Sequence, residues 1–141
     1  MLVPTDFTDA SIEAVKQAHE LAKQFKSTVH LVHVINTKSE AAGFYQPHMS
    51  FNNIDKEYQA KASDYIKKFA LKHLKGLKNL KTAVLKGEPY KQIIKYANDN
   101  TVDSIVIGTH GKTKVDRLIF GSTTERVMRK ASCPVIIVPS K

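Results

Sequence analysis

The chain has 141 residues, of which 42% are hydrophobic and 25% charged, ordinary proportions for a single globular domain spanning residues 1–141. No apolar run approaches the roughly 20 residues of a transmembrane helix, so we expect no membrane span. The first residues show no secretory signal, and the lone Cys133 cannot form an internal disulfide. We therefore expect a cytoplasmic protein.

Lysine and arginine outnumber aspartate and glutamate by 22 to 13, which gives a formal net charge of +9. Such an excess is compatible with a polyanion partner, or with a solvated lysine surface that also steers anionic ligands toward the protein. The lysines are spread over every predicted helix, and no RNA-type motif accompanies them. We therefore expect a solvated surface and no nucleic-acid partner.

The N-terminal residues predict a strand followed by an amphipathic helix. The strand ends at Pro4 and is expected to be short, which leaves its pairing open. Thr8 and Asp9 offer an N-cap, and apolar residues then recur at helical spacing to about Lys26. Asp6 lies between strand and helix, where an α/β sheet places its ligand crevice. From the residues alone, capping and ligand contact are equally open for Asp6.

A run rich in β-branched residues from 28 to 35 predicts a second buried strand. His30 and His33 are three positions apart, so their side chains point to opposite faces and are not expected to share a metal. We expect His33 to be a hydrogen-bonded histidine of the core or of the crevice edge.

Residues 36–53 break the periodic pattern and contain glycine, proline, serine and asparagine among scattered aromatic residues. Connections of this length are usually functional or mobile. Two interpretations stay open. We favour a disordered connection over a flap that covers a ligand.

The rest of the chain alternates helices and strands. Apolar residues over 58–77 are spaced as in a long helix, and 80–85 is expected to form a third strand. Pro89 suits the first turn of a further helix, whose buried stripe runs to Ala97. A fourth strand at 104–107, a helix at 123–130 and a last strand at 134–139 follow, the last bounded by prolines that favour a sheet edge. This order predicts an α/β fold, a mostly parallel sheet with helices on both faces.

The loop after the fourth strand has the composition of an anion site. It begins at Gly108, contains Gly111 and ends at Gly121 and Ser122, with the spacing Gly-x2-Gly-x9-Gly-Ser. Glycine permits close backbone approach and positive φ, and the start of the following helix favours a phosphate. Neither a Walker loop nor a Gly-x-Gly-x-x-Gly dinucleotide motif is present.

This spacing resembles the nucleotide-binding motif of the universal stress protein family, in its ATP-binding branch. Residues 3–7, 31–34 and 132–139 also resemble the family, in the same order along nearly the whole chain. The resemblance implies a Rossmann-like three-layer sandwich whose five strands have the order 3-2-1-4-5. It also implies a homodimer formed through the last strand.

The resemblance further implies that ATP binds, with Mg²⁺ held mainly by the phosphates and water. Asp6 and Val34 match family positions at the adenine, whereas the loop glycines, Ser122 and Thr123 match positions at the ribose and phosphates. The residues expected to form the nucleotide site are Pro4, Thr5, Asp6, Val34, Gly108, Thr109, His110, Gly111, Gly121, Ser122 and Thr123.

No catalytic constellation accompanies the loop. Ser122 has no motif-linked histidine base, and Cys133 lies in an apolar segment. His110 is the one acid–base candidate of the loop, and we expect it to line or cap the site. The expected function is an ATP-binding regulator or sensor in the stress response, with an unknown downstream protein. Two alternatives are slow ATP hydrolysis or phosphoryl transfer, and a basic scaffold that docks proteins or nucleic acid without nucleotide.

Overall fold

The structure is a computed structural model that describes residues 1–36, 51–109 and 120–139, with the backbone alone for 51–55. The strands of this part of the chain are β1 (Leu2–Pro4), β2 (Val29–Ile35), β3 (Leu80–Lys86), β4 (Ile105–Gly108) and β5 (Val135–Val138). Its helices are α1 (Asp9–Phe25), α2 (Phe51–His73), α3 (Pro89–Asp99) and α4 (Ser122–Lys130).

The five strands form one sheet in the order β3-β2-β1-β4-β5, and each neighbouring pair is parallel. The predicted fold class and strand order are confirmed. β1 is short, as expected, yet it occupies the centre of the sheet. Leu2 is aligned both with His30 of β2 and with Ile105 of β4. All three residues of β1 are buried, which is why this strand is wholly apolar.

The helices cover both faces of the sheet. One buried cluster joins α1 and α2 to the first face and includes Val15, Ile66 and Val106. A second cluster joins α3 and α4 to the other face and includes Ile93 and Val127. A parallel sheet with two buried faces needs both layers. None of the described helices is long and apolar enough to cross a membrane.

The two histidines of β2 point to opposite faces, as their spacing predicts. Nδ1 of His30 lies 3.1 Å from the hydroxyl of Tyr96 in α3. His33 instead packs against Phe7 on the side of α1 and α2, with 4.5 Å between ring centroids. Burial lowers the pKa of His30, so this histidine is a neutral core residue at physiological pH.

α2 begins earlier than the sequence predicts. Its backbone is helical from Phe51, so residues 51–53 belong to the helix and not to an irregular segment 36–53. The two asparagines there have low helix propensity, which obscures the helix in the sequence. Residues 37–50 lie outside the described part of the chain, so the choice between a flap and a disordered connection remains a prediction.

β5 is an edge strand, as its flanking prolines predict. Within the described residues it pairs with β4 alone. Its side chains are all apolar, and Ile136 is 38% exposed. The opposite edge, β3, carries the exposed Lys81 and Lys86. Because charged side chains protect a sheet edge from pairing with another chain, β5 is the less protected of the two edges.

Gly108, the last residue of β4, allows α1 to approach the sheet closely. A Cβ atom at this position would lie 2.7 Å from the carbonyl oxygen of Ala10 and 2.9 Å from its carbonyl carbon. Gly108 is absent from the residues with positive φ. Packing against the backbone of α1, and not a left-handed conformation, therefore requires glycine here.

The substitution Gly108→Ala is expected to lower the free energy of unfolding by about 1–3 kcal/mol, the usual cost of overpacking a core. Side-chain repacking cannot relieve the clash, because the added atom meets the backbone of a helix. Urea unfolding measures the change. A Gly108→Ala variant as stable as the original chain would contradict the close-packing explanation.

Candidate functional site

A cleft of about 680 Å³ opens at the carboxyl ends of β1, β2 and β4. From β1 the sheet continues to β2 on one side, and from β4 it continues to β5 on the other side. The cleft therefore lies where the strand order reverses its direction, which is where α/β sheets bind their ligands. Its volume is in the range of small-ligand sites. The described residues that line it are Pro4, Thr5, Asp6, Phe7, Ser11, Val32, His33, Val34, Asn36, Tyr58, Lys61, Ala62, Tyr65, Pro89, Ile93, Ile107, Gly108, Gly121, Ser122, Thr123 and Thr124.

Hydrogen bonds of Thr5 hold the turn from β1 to α1. Its N–H donates to the carbonyl of Val32 at 2.8 Å. Its hydroxyl lies 3.0 Å from that of Ser11 and accepts the N–H of Phe7 at 3.0 Å. Phe7 has φ of 67°, a left-handed conformation that costs a non-glycine residue about 1–3 kcal/mol. These bonds therefore keep Phe7 in a strained conformation at the wall of the cleft.

Asp6 shapes the same turn with one carboxylate oxygen. Its Oδ1 accepts the N–H of Thr8 at 3.1 Å and the hydroxyl of Thr8 at 2.6 Å. Thr8 is the N-cap residue of α1, but its side chain makes no cap hydrogen bond to the helix. The described residues leave Oδ2 of Asp6 without a donor, and Asp6 lines the cleft. The turn and a ligand can therefore use different oxygens of one carboxylate.

His33 lies at the crevice edge within an aromatic cluster. Its Nδ1–H donates to the carbonyl of Thr5 at 2.8 Å, and this bond places a proton on Nδ1 because a carbonyl oxygen can only accept. Phe7 packs on His33 and meets Tyr65 and Phe69 edge-on, with centroids 4.6 and 5.2 Å away. The cluster joins β2 to α2 and gives the cleft an aromatic side.

Two hydrogen bonds fasten the start of α4 to the end of β4. The N–H of Gly121 donates to the carbonyl of Thr109 at 2.9 Å. The buried hydroxyl of Thr124 donates to the carbonyl of Gly108 at 2.8 Å. Gly121 is the N-cap residue and has φ of −60°, so the positive φ that glycine permits is not used there.

The first turn of α4 presents backbone donors at the cleft. The N–H groups of residues 122–124 have no hydrogen-bond partner in the described part of the chain, and Gly121 has no side chain to cap them. Such groups carry the positive end of the helix dipole and bind anions well. Ser122 and Thr123 add hydroxyls to the same lining. This end of the cleft therefore suits a phosphate.

Most of the predicted site residues come together in the cleft. Those that line it are Pro4, Thr5, Asp6, Val34, Gly108, Gly121, Ser122 and Thr123. Thr109 is not part of the lining. Its N–H donates to the carbonyl of Val138 at 3.1 Å and its carbonyl accepts from Gly121, so it ties β4 to β5 and α4. His110 and Gly111 lie outside the described residues, and their roles stay predictions.

The sequence did not indicate that α2 contributes residues to the cleft. Tyr58, Lys61 and Tyr65 line the cleft, and the two tyrosines are 48% and 55% exposed although they continue the spacing of the core residues. The signal that could have found them is topological. In parallel β-α-β units each helix starts at the carboxyl edge of the sheet, so the first turns of α2 lie beside the ligand crevice.

The described residues contain no group of three or more His, Cys, Asp or Glu side chains placed to hold a metal ion. Asp6 is the one carboxylate among the described residues that line the cleft. Burial raises the pKa of the Cys133 thiol, which reduces its thiolate fraction and its nucleophilic character. Cys133 is also not part of the cleft lining.

Comparison with known proteins agrees with this geometry. The sequence model of the Universal stress protein family matches residues 1–139. Universal stress protein MJ0531 of Methanocaldococcus jannaschii is 34% identical over 142 residues, which cover 98% of this chain and 80% of that protein. The solved structure of MJ0577, from the same organism, has a TM-score of 0.77 at 30% identity and covers 99% of this chain and 94% of its own.

A further solved structure is that of the universal stress protein from Archaeoglobus fulgidus in complex with dAMP. The match covers 96% of this chain and 94% of that chain, with a TM-score of 0.58. At 23% identity this likeness shows the fold alone. The family match over nearly the whole chain and the 34% identity to MJ0531 carry the assignment. The chain belongs to the universal stress protein family.

Proposed function

We propose that the chain binds ATP in the cleft and acts as a nucleotide-dependent regulator or sensor in the stress response. The observation that carries this proposal is the first turn of α4, whose N–H groups lack partners among the described residues and face a cleft of ligand size. A nucleoside triphosphate offers an apolar base for the cleft and an anion for the helix start. Membership of the universal stress protein family supports the proposal, and so does the fact that a universal stress protein of the same fold was solved with dAMP.

The adenine end of the proposed site lies at β1 and β2. Val34 is half-buried near the end of β2, and Ile93 and Ile107 add apolar surface. Oδ2 of Asp6 is an acceptor that suits the exocyclic amine of adenine. The family resemblance supports the same assignment, because Asp6 and Val34 match its adenine positions.

The phosphate end of the proposed site lies at Gly121, Ser122 and Thr123. Their part is supported by the N–H groups and hydroxyls that the first turn of α4 brings to the cleft. Gly108 differs, because its missing side chain is explained by the contact with Ala10. A role for Gly108 at the ribose is supported by the family resemblance alone.

The residues present fit a magnesium ion that arrives with the nucleotide. Mg²⁺ in nucleotide sites keeps several waters and binds phosphate oxygens together with one or two carboxylates. Asp6 is the one carboxylate among the described residues of the cleft, and its second oxygen belongs to the proposed adenine end, so the phosphates and water would hold the ion. The ion would neutralise phosphate charge, while the chain itself contributes N–H groups and hydroxyls.

The substitution Ser122→Glu tests the phosphate end. Its carboxylate would occupy the anion position, so ATP affinity is expected to fall about tenfold or more. The fold is expected to stay intact, because Ser122 is exposed and a carboxylate in the first turn of a helix interacts favourably with the dipole. Titration calorimetry gives the affinity, and thermal unfolding without nucleotide gives the stability.

The matched control is Ser122→Gln, because the glutamine side chain has nearly the same size as glutamate and carries no charge. It is expected to keep most of the ATP affinity. If the Glu and Gln variants bound ATP equally well, a phosphate at the start of α4 would be ruled out.

We also propose a homodimer formed by β5. Two copies of an apolar edge strand related by a two-fold axis can pair in antiparallel fashion, because such a surface is complementary to itself. Ile136 is the exposed large side chain of this edge. Ile137 packs instead against the cluster under α3 and α4, so a change there would disturb the core as well as the edge.

The substitution Ile136→Lys is expected to give a monomer, because it places a charge in the pairing surface without changing the core. The control is Thr82→Lys on β3, the edge that already carries lysines, and it should leave the dimer intact. Light scattering at tens of micromolar distinguishes the two states. A monomeric original chain at that concentration would reject the β5 dimer.

A further inference from the structure

A second pocket, of about 150 Å³, adjoins the cleft between the start of α3 and the first turns of α4. The two cavities share Asn36, Pro89, Ser122 and Thr123. Glu88, Tyr90 and Arg126 complete this side pocket, whose volume is many times the roughly 10–15 Å³ that one water needs. The cleft is therefore extended at its phosphate end.

The side pocket is bordered by a cluster of charges on two helices. Nη1 of Arg126 lies 2.9 Å from one carboxylate oxygen of Glu88, and Nζ of Lys91 lies 2.9 Å from the other. The Tyr90 ring has the guanidinium of Arg126 at 5.1 Å and the ammonium of Lys130 at 5.8 Å from its centroid. Two cations thus contact one carboxylate and a third lies over the neighbouring ring, so the local balance of charge in this part of the described chain is positive.

We propose that the side pocket is the subsite for the terminal phosphates of the bound nucleotide, and that Arg126 distinguishes a triphosphate from a monophosphate. The inference rests on the proposed ATP function. Ser122 and Thr123 line both cavities, so a phosphate chain that starts at them has the side pocket as its next space. Arg126 lies one helical turn beyond Ser122, and its planar fork matches phosphate oxygens.

Glu88 determines how easily Arg126 can bind a terminal phosphate. In the structure Arg126 is held at the pocket by Glu88, and a terminal phosphate competes with that carboxylate for the guanidinium. Lys91 remains available to Glu88 when Arg126 turns to the ligand, because it contacts the other oxygen. Removing the charge in Glu88→Gln is therefore expected to tighten ATP binding, since it ends both the competition and the repulsion of the phosphates.

The test compares the dissociation constants of ATP and AMP, measured by titration calorimetry with magnesium present. Arg126→Gln is expected to weaken ATP about tenfold, as the loss of a charge-assisted hydrogen bond does. The same variant should leave AMP nearly unchanged, because a single phosphate does not reach the side pocket. A role of Arg126 in structure alone would instead weaken both nucleotides together and lower the unfolding temperature.

The control is Arg129→Gln. Arg129 is on the same helix and pairs with Glu125 at 3.1 Å, but it lines neither cavity. The Arg129→Gln variant should bind ATP and AMP with the same affinities as the original chain. Equal changes in ATP and AMP affinity in Arg126→Gln, or no change in either, would overturn the subsite. If the original chain bound AMP and ATP equally tightly, the subsite would again be wrong while nucleotide binding stood. Binding of neither nucleotide by the original chain would overturn the proposed function as well.

Discussion

The close contact between Gly108 and the backbone of Ala10 determines where both sides of the site lie. On the α1 face, a side chain at Gly108 would come within 2.7 Å of the Ala10 carbonyl oxygen. On the α4 face, the Gly108 carbonyl accepts the buried hydroxyl of Thr124. Helices of both layers thus contact the end of β4, and the starts of α1 and α4 face each other across the cleft. Any larger residue would push α1 outward together with the turn that carries Asp6.

The site is influenced by positive charge in two ways, over a long range by the surface lysines and at close range by Arg126. Several exposed lysines pair with carboxylates three or four positions away on the same helix, as Lys16 does with Glu13 and Lys61 with Glu57. Such pairs add little stability, and the excess charge of the surface steers anions without selecting among them. Arg126 differs because it reaches Glu88 from another helix, at the wall of a pocket. In our proposal that position lets it select by phosphate number.

The sequence predicted the order of the elements because buried strands and amphipathic helices have different hydrophobic periods. It also indicated Asp6 and the start of α4, since the ends of parallel strands and the starts of helices share one edge, whereas Val34 was indicated by the family resemblance alone. Features that depend on tertiary contacts could not be predicted from the sequence. The strained φ of Phe7 belongs to a turn that the N–H of Thr5 fastens to the carbonyl of Val32 in β2, and the need for glycine at 108 arises from a helix nearly a hundred residues earlier in the chain. No local pattern encodes either contact.

The most direct measurement of adenine nucleotide in this cleft is the amount that the purified chain retains. The protein is incubated with magnesium and ATP, separated from free nucleotide by gel filtration and denatured, and the supernatant is resolved by ion-exchange chromatography. About one adenine nucleotide per chain is the result expected if the cleft binds ATP with the micromolar or tighter affinity that survives such a separation. Equilibrium dialysis covers weaker binding. No adenine nucleotide above the buffer level in either experiment would contradict a nucleotide site at the junction of β1, β4 and α4.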